Sequence, residues 1–206
     1  LMAVTFTANT AVSVYATGVT ATENAQTIDA QSTDAQALTP EEQKAQELQQ
    51  VYDMPVESNG YKDWPQGPGT YGEAGIVMEV GTGAILYAKN IDAHEYPASI
   101  TKVLTALVAL ENGQLTDNVT FSHDSVAFLQ RGDSSVGLKE GNVITLDQAM
   151  HAMLLASANE AAYAIGESVG VNAGHDYNWF IEQMNRRCKE LGGENSHFAN
   201  TNGLHD

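Results

Sequence analysis

Two short apolar runs on either side of a glycine turn constrain the fold of this chain more than any other feature. Ala74-Gly75-Ile76-Val77-Met78-Glu79-Val80 and Ala84-Ile85-Leu86-Tyr87-Ala88 flank Gly81-Thr82-Gly83. Runs this short around a glycine-containing loop predict a β-hairpin. The pattern then changes period. Residues 99–112 carry Ile100, Val103, Leu104, Leu107, Val108 and Leu110 at helical spacing, which predicts a helix with that face inward, terminated by Gly113 as a C′ residue. Thr145-Leu-Asp-Gln148 opens another helix to about Ala156, with Leu146, Ala149, Met150, Met153 and Leu154 inward. Ser157-Ala158-Asn159 interrupts it. Further helices are expected over residues 160–168 and from Tyr177 to about Leu191, where Gly192-Gly193 stops the helix. Between them, residues 116–145 alternate in short polar and apolar steps, and residues 198–204 read as loop or strand. A hairpin followed by a helical block predicts an α+β fold: a sheet with helices packed on it and a mostly helical lobe.

The first quarter does not share this patterning. Residues 1–16 are small, apolar and Thr-rich, ending Val14-Tyr15-Ala16. They read as the apolar part of a secretory signal that lacks its basic start, the alternative being an ordinary buried strand. Residues 17–38 are Thr, Ala, Gln, Asp and Ser with little periodicity, and read as a linker too polar to offset its ordering entropy. Thr39-Pro40-Glu41-Glu42 then predicts a capping box on a short helix reaching about Tyr52. Residues 55–70 read as irregular chain. The division is therefore 1–22 signal-like, 23–70 linker with a short helix, and 71–206 a catalytic domain.

Composition narrows the class of function. Nine Lys+Arg against 26 Asp+Glu give a net charge of −17, which argues against nucleic acid and against docking on an anionic membrane. A single cysteine, Cys188, excludes an internal disulfide framework and a Cys-rich zinc module. No metal and no cofactor is expected: the six histidines form no His-Glu-x-x-His or other ligand spacing. His151 reads as a core or boundary residue on its helix, and Cys188 as a buried inert thiol. Gly81-Thr-Gly83 is a hairpin turn and not a phosphate loop. Asp124, Asp133, Glu140 and Asp147 read as a solvated acidic face.

Two segments could carry chemistry. Ser99 and Lys102 lie three apart at a helix start, on one face. A serine hydroxyl needs a base to become a nucleophile at neutral pH. A lysine amine can be that base when burial lowers its pKa, and Ile100, Val103 and Leu104 would help to bury it. Alone, Ser-x-x-Lys is common and more often a serine cap followed by a surface lysine. In Ser157-Ala158-Asn159, 58 residues on from Ser99, a hydroxyl could relay a proton and an amide could hold the lysine and a substrate peptide group. That segment reads equally well as a turn between helices.

Together and in order, these segments resemble the serine-type D-alanyl-D-alanine carboxypeptidases, the low-molecular-mass penicillin-binding proteins of peptidase family S11. The resemblance rests first on Pro97-Ala-Ser99-Ile-Thr-Lys102-Val-Leu-Thr105. It extends to the hairpin from Ile76 to Tyr87, Gly137-Leu-Lys-Glu-Gly141, and Ser157-Ala-Asn159-Glu-Ala161. It continues through Phe180-x-x-x-Met184-Asn185, Leu191-Gly192 and Phe198-Ala-Asn200-Thr-Asn-Gly203-Leu204. The family usually has Gly and Asp where this chain has Ala158 and Glu160, and Pro-His in place of Thr201-Asn202.

The resemblance implies a β-lactamase/penicillin-binding-protein-like transpeptidase fold: a five-stranded antiparallel sheet with flanking helices and a helical lobe. It implies Ser99 as nucleophile, Lys102 as its base, Ser157 as proton relay and Asn159 as contact to the lysine and the substrate amide. The implied partner is a peptidoglycan stem peptide ending in D-Ala-D-Ala, with β-lactams as covalent inhibitors. The implied location is outside the cytoplasm, at the cell wall or membrane. The family's third motif, Lys-Thr-Gly or a variant, occurs nowhere here. The expectation is therefore a fragment, incomplete at its C-terminus, of a longer protein, with any membrane anchor in the missing part. Two other readings are a class A-like β-lactamase, although Glu190 and Glu194 do not resemble that family's deacylating segment, and a non-catalytic penicillin-binding sensor or wall-associated module.

Overall fold

The computed structural model describes residues 2–6 and 38–205. The rest of the signal-like segment and the linker up to residue 37 lie outside the described residues. The chain forms two compact units, Leu1–Glu95 and Tyr96–Asp206.

In the first unit, β1 (Met2–Phe6), β2 (Ala74–Met78) and β3 (Ile85–Lys89) form an antiparallel sheet in the order β1-β2-β3. Phe6 stands opposite Ala74, and Ile76 opposite Ala88. The expected hairpin is present, but its loop is longer than three residues. The register shifts between Val77 and Met78, and the turn runs from Glu79 to Ala84. The Glu79 carboxylate causes this. It accepts hydrogen bonds from the Gly81 and Thr82 amides and the Thr82 hydroxyl at 2.5–2.8 Å, so Val80 leaves the ladder. Gly83 turns the corner at φ +73°.

Helix α1 (Pro40–Tyr52) starts on the expected capping box, with Thr39 and Glu42 bonded reciprocally. It buries no side chain completely, yet its C-terminal end is held. Lys89, with no exposed surface, donates to Val51 O at 2.5 Å and Thr70 O at 2.7 Å. A cation on the last turn of a helix is favourable for the helix dipole. The stretch 55–70 is irregular as expected, with one 3₁₀ turn at Glu57–Gly60, but it is pinned: Trp64 Nε1 donates to Leu86 O at 2.9 Å.

The second unit contains helix α2 (Thr101–Asn112), strand β4 (Asn118–Thr120), helix α3 (His123–Ala127) and strand β5 (Val143–Thr145), then α4 (Leu146–Leu155), α5 (Asn159–Asn172) and α6 (Tyr177–Glu190). The strands β4 and β5 pair antiparallel, Val119 opposite Ile144. Helix α5 is the hub, packed by α2, α4 and α6. Its small residues Ala158, Ala161, Ala162 and Ala164 are fully buried and let neighbouring backbones approach, while Ile165, Phe180 and Met184 fill the space between. Thr145 and Gln148 form the expected capping box on α4, and Asp176 caps α6.

Several expectations need correction. The buried face of α2 is Thr101, Lys102, Thr105, Ala106, Val108 and Ala109, whereas Val103 and Leu110 are each half exposed. Counting apolar residues at helical spacing missed this because the buried face is partly polar and finds its partners in the 201–202 loop. Gly113 ends α2 as expected, in extended geometry. Leu154 is half exposed, and His151 lies at the surface against Asp147, not in the core. Cys188 is half-buried. Helix α5 runs four residues beyond residue 168, and the short helix α3, capped by Ser122, was not expected.

Candidate active site

Ser99 sits in a single 3₁₀ turn, Ala98–Ile100, directly before α2. Pro97 fixes the entry, and Ala98 takes φ +46°, a conformation that costs a β-carbon residue about 1 kcal/mol or more. The turn is held from outside. Gly203, at φ +80°, packs so tightly that a β-carbon there would lie 1.9 Å from Ala98 O. Only glycine fits. Thr105 Oγ1 donates to Thr201 O at 2.7 Å, which fastens the same loop one turn further along α2.

Lys102 lies on the first turn of α2 and is 2% exposed. Its Nζ stands 3.0 Å from Ser99 Oγ, 2.7 Å from Asn159 Oδ1 and 2.9 Å from Asn202 O. Burial lowers the lysine pKa to about 8, and the charge of Glu160 opposes that shift. Ser157 sits between α4 and α5 at φ +56°, and its Oγ donates to Ser99 Oγ at 2.9 Å. Thus the four residues singled out in the sequence, Ser99, Lys102, Ser157 and Asn159, form one connected hydrogen-bonded cluster, although they come from segments nearly 60 residues apart.

The sequence did not single out two members of this arrangement. The Asn202 backbone carbonyl is the third partner of Lys102. Because the contact is through the backbone, the departure from Pro-His at Thr201-Asn202 leaves it in place. The other is Glu160, which is fully buried one residue after Asn159. Its sequence signals were its position next to Asn159 and its place where the resembled family usually has Asp.

A cleft of about 290 Å³ lies beside the 3₁₀ turn, lined by Tyr96, Pro97, Thr101, Phe198, Asn200 and Gly203 among others. Neither Ser99 nor Lys102 lines it. No group of three or more His, Cys, Asp or Glu among the described residues is arranged to hold a metal ion.

The family model described as D-alanyl-D-alanine carboxypeptidase, Peptidase S11, matches residues 65–206. Among curated proteins, the D-alanyl-D-alanine carboxypeptidase DacF of Bacillus subtilis is 32% identical over 137 residues, covering 64% of this chain and 33% of DacF. Among solved structures, the D-alanyl-D-alanine carboxypeptidase of Mycobacterium tuberculosis superposes with a TM-score of 0.59 at 28% identity, over 74% of this chain and 53% of that one. Penicillin binding protein 5 of Haemophilus influenzae gives 0.55 at 30% identity, over 64% and 38%. The chain spans about a third to a half of the length of the curated relatives it matches. The expected penicillin-binding-protein-like α+β fold is borne out, although among the described residues the antiparallel strands form a three-stranded and a two-stranded sheet, not the five-stranded one.

Proposed function

The chain belongs to the D-alanyl-D-alanine carboxypeptidase family, peptidase S11, and from that premise we propose that the whole protein is a serine-type D-Ala-D-Ala carboxypeptidase trimming peptidoglycan stem peptides. One observation carries the mechanism: the three partners of Lys102 are not equivalent. Asn159 Oδ1 and Asn202 O can only accept, so a neutral amine spends both N–H bonds on them. Its lone pair is then left for the third partner, the Ser99 hydroxyl. Ser157 donates to Ser99 Oγ and leaves the Ser99 proton free to point at Lys102.

In this reading Ser99 Oγ attacks the carbonyl carbon of the penultimate D-Ala as its proton passes to Lys102 Nζ. The tetrahedral intermediate collapses, the C–N bond breaks, and the leaving amine takes a proton through Ser157. Water then hydrolyses the acyl-serine. Asn159 holds the lysine through Oδ1 and offers its amide N–H to a substrate carbonyl. No cofactor is needed. β-Lactams would acylate Ser99 by the same route. Such a substrate lies outside the cytoplasm, so the whole protein would act there. Among the described residues no helix is long and apolar enough to cross a membrane.

Protein expressed from its whole gene is predicted to release D-Ala from a stem pentapeptide. Ser99→Ala should lower that release on the order of 10³-fold or more. The 206-residue chain, which contains no Lys-Thr-Gly or Lys-Ser-Gly, should release D-Ala poorly. Rapid nitrocefin turnover without D-Ala release would instead favour a β-lactamase.

A further inference from the structure

Glu160 is a buried carboxylate that the mechanism above does not use. It has no exposed surface, and its two oxygens differ sharply. Oε1 accepts from Ser135 Oγ at 2.7 Å, Val136 N at 2.8 Å and Gly137 N at 3.2 Å. Oε2 is buried and makes no hydrogen bond among the described residues. Next to it, the Asn159 backbone N–H donates to Ser134 O at 2.9 Å. The start of α5 therefore grips four consecutive residues, 134–137, with two of its own. Gly137 is at φ +77°, and its amide also reaches Ser135 Oγ at 2.9 Å, so the loop is curled around a single carboxylate oxygen.

A carboxylate accepting several short hydrogen bonds is held far more rigidly than a neutral group. Glu160 is at the second position of α5, where its side chain could have capped the helix. It turns to the loop instead. We propose that Glu160 is a positioning residue: by locking loop 134–137 onto the first turn of α5, it fixes Asn159 so that Oδ1 stays on Lys102 Nζ. The proposal rests on the carboxypeptidase reading only for its kinetic consequence. The lock itself is a statement about the fold.

The same buried charge acts on Lys102. The charged and titratable residues on the helices that contact α2 include Glu160 and Glu167 on α5, Asp147 and His151 on α4, and Arg186, Arg187 and Glu190 on α6. Glu111 lies on α2 itself. Glu167 is bonded to Ser122, Arg187 pairs with Glu111 and Glu190, Arg186 pairs with Glu190, and Asp147 and His151 lie at the surface. Glu160 alone of these raises the Lys102 pKa, against the effect of burial. Removing its charge while keeping its shape should therefore make Lys102 easier to deprotonate.

The test uses protein from the whole gene with Glu160→Ala and Glu160→Gln, read in two ways. Hydrogen–deuterium exchange needs no activity. In Glu160→Ala the Val136 and Gly137 amides should exchange at least about tenfold faster, the equivalent of ~1.4 kcal/mol of lost protection. Fluorescent-penicillin acylation reads the second effect. Glu160→Ala should acylate about tenfold more slowly or worse, and Glu160→Gln should move the rise of acylation rate with pH to lower pH. A purely structural role would not move that rise. Unchanged amide protection in Glu160→Ala would overturn the lock. An unmoved pH rise in Glu160→Gln that acylates normally would overturn the link to Lys102. If the unaltered protein takes no penicillin at all, the carboxypeptidase reading fails, and the exchange result still decides the lock.

Discussion

Lys102 has three polar partners within 3.0 Å and is nearly sealed from water, so its charge state governs what the site can do. Burial brings its pKa down to about 8, with Glu160 opposing. A general base works in its neutral form, so acylation should climb as pH rises through about 8 and level off above. A pH–rate profile of penicillin acylation checks this, and a rate that falls across the same interval would contradict it. The linkage to folding has a definite sign. Between about 8 and the usual lysine value the unfolded chain holds a proton that the folded chain has lost, so stability rises with pH across that window. Ser99 and Lys102 were legible in the sequence because three-residue spacing on a helix brings them together without help from the rest of the fold. The chemistry of Ser157 and Asn159 was legible from residue type, but their place beside Ser99 was legible only through family resemblance, since no local rule brings a segment 58 residues away onto Ser99. Glu160 and the Asn202 carbonyl were not legible. One acts through a loop that the sequence left unassigned, and the other through a backbone atom that no side-chain pattern reports.

The helices whose caps are written into neighbouring residues, α1 and α4, came out of the sequence almost to the residue. The element that failed was α2, where the apolar positions 103 and 110 are half exposed and the polar positions 101, 102 and 105 are buried. Hydrophobic periodicity measures apolar content, and a helix that carries a lysine and two threonines on its buried face violates it. Helix α5 supports this arrangement, since it presents Asn159 and Glu160 from its first turn and buries an alanine-rich stripe behind them. Ile165 lies on that stripe with no exposed surface. Ile165→Ala should destabilise the protein by roughly 2–5 kcal/mol, because tight alanine packing leaves little freedom for the cavity to collapse. Chemical denaturation measures it. A loss under 1 kcal/mol would mean that α5 is not the hub it looks to be.

At the scale of the whole molecule, two compact units are built on different physics. The first is a small sheet fastened by polar ties: Lys89 on two carbonyls, Trp64 on Leu86, and Glu79 in its turn. The second is a close-packed helical core that carries the serine–lysine cluster entirely within itself. The net charge of −17 fits neither nucleic acid nor an anionic surface, and among the described residues Glu160 is the carboxylate whose charge acts on Lys102. The central claim is that Ser99, activated by Lys102, is the nucleophile. The most direct test is to treat protein from the whole gene with a penicillin, digest it with trypsin and map the adduct by mass spectrometry. The account predicts one penicilloyl group per protein on the peptide of residues 90–102, at Ser99, and none in Lys102→Ala. An adduct on any other residue, or full labelling of Ser99→Ala, would contradict it.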